Sequence, residues 1–92
     1  MFKWNDDVDD AHIEAAGTAL TELASRLPEV GDYRHGPDLG ITDGNFDYVV
    51  VGEYASMDDY LAYRDHPDHQ ALIQQYIAGR VSARAAVQYD VG

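Results

Sequence analysis

The first long pattern of hydrophobic positions in the chain is helical. Between residues 13 and 27, apolar side chains recur every three or four residues, the spacing that aligns them on one face of an α-helix. Asp9 or Asp10 can cap the start, because a carboxylate accepts the free N–H groups of a first helical turn. Pro28 marks the end. The pattern predicts an amphipathic helix with one buried face.

Other stretches are typical of β-strands. Residues 46–54 are rich in the aromatic and β-branched side chains that favour strands. Tyr48 and Val50 point to one side of this strand. Val49 and Val51 point to the other, so we expect both faces to be covered. The remaining predicted strands are residues 1–4, where the sequence is expected to begin inside a strand, residues 30–35 and residues 84–91.

A second helical region follows strand 46–54. Ser56 and Asp59 have the spacing of a capping box, in which two side chains satisfy the free N–H groups of a helix start. Pro67 disfavours helical geometry at His66. The region is therefore predicted to break there and to resume with Pro67 in the first position of another helix. In that helix His69 lies on the inward face, together with the apolar stripe that follows it.

The order of these elements predicts a ferredoxin-like α+β fold, β-α-β-β-α-β, with its helices on one face of an antiparallel sheet. We assign residues 1–92 to a single domain, because the chain is too short for a second core. The other sheet face then lacks cover, and a second copy of the same sheet supplies it most simply. The sequence therefore predicts a homodimer that forms a dimeric α/β barrel.

Charge and composition narrow the range of partners. Six Lys and Arg stand against 17 Asp and Glu, a formal net charge of -11, and such a field repels nucleic acid and anionic membrane surfaces. We expect neither as a partner. The sequence has no cysteine, which excludes disulfides and thiolate ligands. It shows no long apolar run or signal-peptide pattern, so a cytoplasmic location is expected.

Four segments together resemble the stress-responsive dimeric A/B barrel (Dabb) family. They are residues 2–4, 33–40, 44–48 and 63–70, and the His-Pro-Asp-His run within the last is the most specific. The resemblance implies a ferredoxin-like protomer that pairs through its sheet and holds a cavity between sheet and helices. Many members are stress-associated proteins of unassigned chemistry. Olivetolic acid cyclase-type members close a linear polyketide by aldol condensation without metal or cofactor, so no cofactor is expected here.

The resemblance to these cyclases points to a catalytic pair. Their tyrosine and histidine are similar in placement to Tyr63 and His69. We expect Tyr63 to donate a hydrogen bond and His69 to act as a base, because aldol closure needs enolisation and a stabilised oxyanion. The alternative for His69 is a partly buried core histidine bonded to the backbone or to Tyr63. A pocket histidine of the cyclases falls near Tyr48, so we expect a different pocket.

Four further residues are candidates for ligand contact. Tyr48 and Tyr76 belong to a tyrosine-rich set whose aromatic walls and phenolic tips suit a flat, partly polar ligand. Arg34 and His35 lie at a strand end, where a cation can hold a carboxylate or phenolate. The alternative is an exposed ion pair with one of the many Asp residues. Residues 66–69 contain metal-ligand types, but no third ligand lies nearby in the sequence, and no metal site is predicted.

Together these features predict a protein that binds a small hydrophobic or aromatic molecule, with cofactor-free acid–base chemistry of cyclase or lyase type. The alternative is a non-catalytic, stress-associated structural dimer. A fitting ligand raises the melting temperature by mass action, whereas a pocket filled by packing shows no such rise. A haem- or flavin-using relative of the same architecture would be coloured as purified.

Overall fold

The molecule has the predicted order of strands and helices. The computed structural model describes residues 1–91, and within them four antiparallel strands alternate with three α-helices as in a ferredoxin-like fold. The elements are β1 (Phe2–Trp4), α1 (Asp10–Arg26), β2 (Tyr33–Pro37), β3 (Tyr48–Gly52), α2 (Met57–Asp65), α3 (Pro67–Leu72), a π-helical turn (Ile73–Ile77) and β4 (Val81–Arg84).

Side-chain caps fix where the helices begin. Asp9 is the N-cap of α1, and its Oδ1 accepts from the backbone N–H of His12 at 2.8 Å. Ser56 caps α2 by accepting from the N–H of Asp59 at 3.1 Å. Each bond satisfies one of the donors that a first helical turn leaves free. Both caps confirm starts that the sequence predicts from side-chain chemistry alone.

Pro67 divides the second helical region as predicted. His66 has an extended backbone (φ -61°, ψ 135°), and Pro67 opens α3. The His66 ring caps this helix, since its Nδ1 accepts from the N–H of Asp68 at 3.0 Å. The Asp68 N–H therefore does not bond to the carbonyl of Arg64, four residues earlier, as it would in an unbroken helix. The break leaves that carbonyl available to side chains.

The sheet order is β2-β3-β1-β4, so β3 has a neighbour on each side. It pairs with β2 from Tyr33 opposite Gly52 to Pro37 opposite Tyr48. The helices cover one face, where the side chains of β2 bond to those of α1 and α2. On the other face Val49 is 44% exposed and Val51 41% exposed. The single chain thus leaves open the apolar face for which the sequence predicts a partner.

The predicted strand at residues 84–91 is wrong except for its first residue. β4 ends at Arg84, which lies opposite Phe2, the first residue of β1. Two backbone bonds between Met1 and Ala85, each 2.9 Å, close the ladder. Beyond them Val87 and Tyr89 are 82% and 79% exposed. The alternating pattern is present, but no strand within residues 1–91 lies beside it.

The other strand boundaries shift by a few residues. β2 covers Tyr33–Pro37 rather than residues 30–35, and β3 is the Tyr48–Gly52 centre of the predicted strand 46–54. Gly36 and Pro37 therefore belong to the end of β2. The core lies between α1, the sheet and the helix pair. Its buried side chains are Ala16, Leu20, Leu23, Leu27, Tyr48, Tyr63 and Leu72.

Candidate functional site

The broken helix fixes the orientation of His69. The Arg64 carbonyl accepts from His69 Nδ1 at 2.9 Å and from Gln70 Nε2 at 2.7 Å. Because a carbonyl only accepts, Nδ1 carries the proton, and in a neutral ring Nε2 has the free lone pair. Among residues 1–91 no group bonds to that Nε2. The Pro67 break thus holds His69 in the tautomer with a free basic Nε2.

His69 lies directly against Tyr63. The ring centroids are 4.3 Å apart with an interplanar angle of 38°. The Tyr63 hydroxyl is 2.8 Å from that of Tyr33, and either oxygen can donate. Burial raises the pKa of Tyr63 well above its usual range, and the neighbouring Tyr33 raises it further. The structure therefore brings the predicted pair into contact and keeps the phenol protonated.

Tyrosines surround this pair. Tyr54 and Tyr60 pack on Tyr63 with centroid distances of 5.3 and 6.4 Å. A Cβ on Gly52 would lie 2.6 Å from the Tyr54 hydroxyl, so this close approach requires glycine. Burial raises the pKa of Tyr33 to about 12. The cluster is a set of packed phenol rings on the helix-covered face of the sheet.

A second polar cluster lies beneath α1. His35 Nδ1 is 2.7 Å from the Tyr48 hydroxyl, and His35 Nε2 is 2.8 Å from the Thr21 hydroxyl. Burial lowers the pKa of His35, which favours the neutral ring. α1 comes close to this cluster at Gly17, where a Cβ would be 3.0 Å from the Tyr48 hydroxyl. Glycine at this helical position keeps α1 near the sheet.

This second cluster forms the floor of a cleft of about 750 Å³ between α1 and the strands β2 and β3. Its lining residues are Asp10, Ile13, Glu14, Gly17, Thr18, Thr21, Glu22, His35, Pro37 and Tyr48. The lining includes three carboxylates and no Lys or Arg. A smaller cleft of about 230 Å³ lies between α1 and the helices that follow Pro67.

The structure distributes the predicted site residues over several places. His35 and Tyr48 meet in the larger cleft, whereas Tyr76 lines the smaller one. Tyr63 and His69 line neither. Arg34 lies exposed on the open face of the sheet, 4.0 Å from Glu53, so its ion pair is with a glutamate rather than with an aspartate. Arg34 therefore has no contact with either cleft.

Thr21 and Gly17 are contributors that the sequence analysis missed. They lie four residues apart in α1, so they share a face of the helix. The sequence signal for Gly17 is a glycine in the interior of a helix. Such a glycine lowers helix stability and commonly marks a place where the helix packs closely against another element. Which strand residues meet this face depends on packing between layers, and no local pattern specifies it.

Two absences apply to the described part of the chain. Across residues 1–91, no three His, Asp or Glu side chains gather closely enough to hold a metal ion. Over the same residues, no helix combines the length and apolar character needed to cross a bilayer.

One family model and several solved structures match this chain. The family model described as the stress responsive A/B barrel domain matches residues 1–91. A dimeric ferredoxin-like protein of unknown function from Thermobifida fusca is 42% identical, with a TM-score of 0.88 over 97% of this chain and 83% of that one. No curated protein gives a significant match.

Two more distant structures share the fold. A dimeric protein of unknown function from Bacteroides fragilis is 22% identical, with a TM-score of 0.73 over 97% of this chain and 88% of its own. A Dabb family protein from Mesorhizobium loti is 17% identical, also with a TM-score of 0.73, over 89% of this chain and 81% of its own. At these identities the likeness concerns the fold alone.

Proposed function

The chain belongs to the stress-responsive A/B barrel (Dabb) family, and we propose that it acts as a homodimer that binds a small, partly aromatic molecule in the cleft beneath α1. The observation that carries this proposal is the meeting of His35 and Tyr48 in a cleft of about 750 Å³. Ligand sites commonly have volumes of roughly 300 to 1,000 Å³ and combine apolar walls with a few oriented polar groups. Ile13 and Pro37 supply apolar wall, and the histidine and tyrosine supply the polar end.

Acetophenone, a small aromatic ketone, is a suitable probe of this cleft. In a ¹H–¹⁵N NMR titration to about 5 mM, above the millimolar Kd expected of so small a ligand, we expect the amide signals of Gly17, Thr18 and Thr21 to shift. Thr18→Trp, which fills the cleft, should abolish the shifts. Ser25→Trp is the matched control, since Ser25 is exposed on the same helix outside the cleft. Absence of binding, or equal binding by both variants, contradicts the proposal.

Cofactor-free acid–base chemistry at His69 and Tyr63 is a second candidate function. The tautomer of His69 supports it, because the bond from Nδ1 to the Arg64 carbonyl leaves Nε2 free to take a proton from a carbon next to a carbonyl group. The neighbouring phenol of Tyr63 is protonated and able to donate to the enolate oxygen that forms. This is the chemistry that an aldol cyclase of the olivetolic acid cyclase type requires.

Exchange of the acetophenone methyl protons for deuterium in D₂O tests this chemistry. We expect the wild-type protein to accelerate the exchange, and His69→Gln and His69→Ala to return it to the rate of buffer. His66→Asn is the control, because asparagine keeps a capping acceptor at the start of α3. Equal acceleration by wild type and both His69 variants, or none by the wild type, removes the base assignment. Absence of acceleration by the wild type favours the non-catalytic dimer considered above, whereas equal acceleration by all three proteins assigns the base to another residue.

The dimer is the third element of the proposal. The dimeric relatives indicate a homodimer, and we propose that its two sheets pair through their open faces. The exposed Val49 and Val51 support this arrangement, because a second sheet would remove them from water. Sedimentation velocity at micromolar concentration tests the association. A compact single-chain species contradicts it.

A further inference from the structure

The hydrogen bonds beneath α1 have a defined direction. In a neutral His35 one ring nitrogen donates and the other accepts, whereas the Tyr48 and Thr21 hydroxyls can each do both. Among residues 1–91, His35 is the one hydrogen-bond partner of either hydroxyl. Two directions are therefore open, and they differ in which hydroxyl proton is left without an acceptor.

Burial decides between them. Tyr48 is 5% exposed, whereas Thr21 is an exposed residue that lines the cleft. A proton left over on Tyr48 would have little access to water, and an unpaired buried donor is costly. The favoured direction therefore has Tyr48 donating to His35 Nδ1 and His35 Nε2 donating to Thr21 Oγ1. The remaining proton is that of the Thr21 hydroxyl.

This direction determines what the floor of the cleft offers to a ligand. The Thr21 hydroxyl accepts a bond from His35 and has its own proton free to donate into the cleft. Each bond in such a chain polarises the next, so the last hydroxyl is a better donor than an isolated one. The floor is therefore suited to a carbonyl or hydroxyl oxygen of the ligand.

The charged side chains that line the cleft also affect which ligands it can bind. Asp10, Glu14 and Glu22 line it, and no Lys or Arg among the described residues does. A carboxylate or phosphate entering the cleft would meet three negative charges and no positive one, in a chain whose formal net charge is -11. The cleft thus disfavours anionic ligands, whereas it favours uncharged ligands that have a hydrogen-bond-accepting oxygen.

We infer that this cleft selects uncharged molecules that present a hydrogen-bond-accepting oxygen to Thr21, and that it rejects carboxylates. The inference rests on the proposed function, since it assumes that the cleft binds a ligand. It goes further by naming the ligand class and by giving Thr21 the role of a specificity-determining residue positioned by His35.

Three probes of similar size test the inference by NMR titration of the full chain. They are acetophenone, which has an accepting oxygen; ethylbenzene, which has none; and benzoate, which is anionic. We expect acetophenone to bind about fivefold or more tightly than ethylbenzene, and benzoate to bind about tenfold more weakly than acetophenone. The difference in affinity between acetophenone and benzoate should shrink at high salt, because salt screens the carboxylates that line the cleft.

Variants separate the two parts of the selectivity. Thr21→Val should remove the preference for acetophenone over ethylbenzene, and Thr21→Ser should keep it. Thr18→Val is the matched control, because Thr18 lines the same cleft without a bond to His35. Glu14→Gln should tighten benzoate binding, whereas Asp43→Asn, the same change of charge outside the cleft, should not.

Each outcome bears on a different statement. Equal binding of all three probes with shifts in the cleft leaves the proposed function intact and overturns the inference. Loss of preference in Thr18→Val as well as Thr21→Val overturns the role of Thr21. A ¹⁵N spectrum with the His35 proton on Nδ1 overturns the direction of the chain. Binding of no probe overturns the proposed function and the inference together.

Discussion

Strand β3 and the C-terminal residues 85–91 have the same kind of alternating sequence and different structures. β3 lies between two strands, and its Tyr48 is 5% exposed, whereas Tyr89 in the C-terminal segment is 79% exposed. The difference is the presence of neighbours. Alternation shows that a segment suits a sheet, but a strand forms only where another strand supplies hydrogen-bond partners. Ala85 still bonds to Met1, and within residues 1–91 no strand lies beside the segment that follows it.

The largest expected effect comes from one kind of substitution, a proline, placed in each of the two regions. Val50→Pro removes an N–H in the middle of the central strand, and we expect it to lower the free energy of unfolding by about 3 kcal/mol or more. Val87→Pro makes the same change in the C-terminal segment, where we expect a change within about 0.5 kcal/mol. Urea unfolding followed by circular dichroism measures both. Equal losses would mean that residues 85–91 form a strand within the monomer.

Alkaline pH tests the tyrosines that the helix-covered face of the sheet buries. Burial raises the pKa of Tyr33 to about 12. The stability that the protonated phenol contributes to the folded state is therefore fully present below pH 10 and is lost as the pH rises towards 12. Each pH unit between these values removes up to about 1.4 kcal/mol of stability per such tyrosine.

We therefore expect Tyr33→Phe to reduce the fall in stability between pH 10 and pH 12. The exposed Tyr89→Phe is the control and should leave the slope unchanged. Urea midpoints measured at several alkaline pH values decide the outcome. Identical slopes for the wild type and Tyr33→Phe would contradict the burial of this phenol.

Much of this fold could be predicted because its signals are local. Asp9, Ser56 and Pro67 define helix starts through bonds that span two or three residues, and all three are found as predicted. The β-α-β-β-α-β order follows from such signals. The end of β4 depends instead on the length of β1, which lies some 80 residues away in sequence. A pattern within one segment holds no information about the length of its neighbour.

The candidate site also has a part that local sequence signals predict and a part that depends on distant packing. The contact of Tyr63 with His69 bridges one helix break and could be anticipated from the segment that resembles the family. The bond from His35 to Thr21 joins a strand to a helix and depends on how α1 lies over the sheet. Gly17 controls that approach, but its role becomes visible only when Tyr48 is found beneath it.

The open face of β3 gives a test of the proposed dimer. Val49→Asp places a charge where we propose that two sheets meet, and we expect association to weaken by about tenfold to a hundredfold, since burying an unpaired charge is costly. Leu39→Asp is the control, because Leu39 is 86% exposed on a loop. Sedimentation equilibrium gives both dissociation constants. An unchanged constant for Val49→Asp would place the interface elsewhere.

The smallest expected effect concerns the C-terminal segment in the dimer. Val87 and Tyr89 are largely exposed in the single chain, so we expect these two side chains to gain contacts on association. Tyr89→Ser should then weaken the dimer by about threefold to tenfold, the loss of one partly buried aromatic contact. In the Val49→Asp background, at a concentration where that variant is monomeric, it should leave the free energy of unfolding unchanged. Equal destabilisation in both backgrounds would show that Tyr89 packs within its own chain. No effect in either would show that the alternating pattern has no role in assembly.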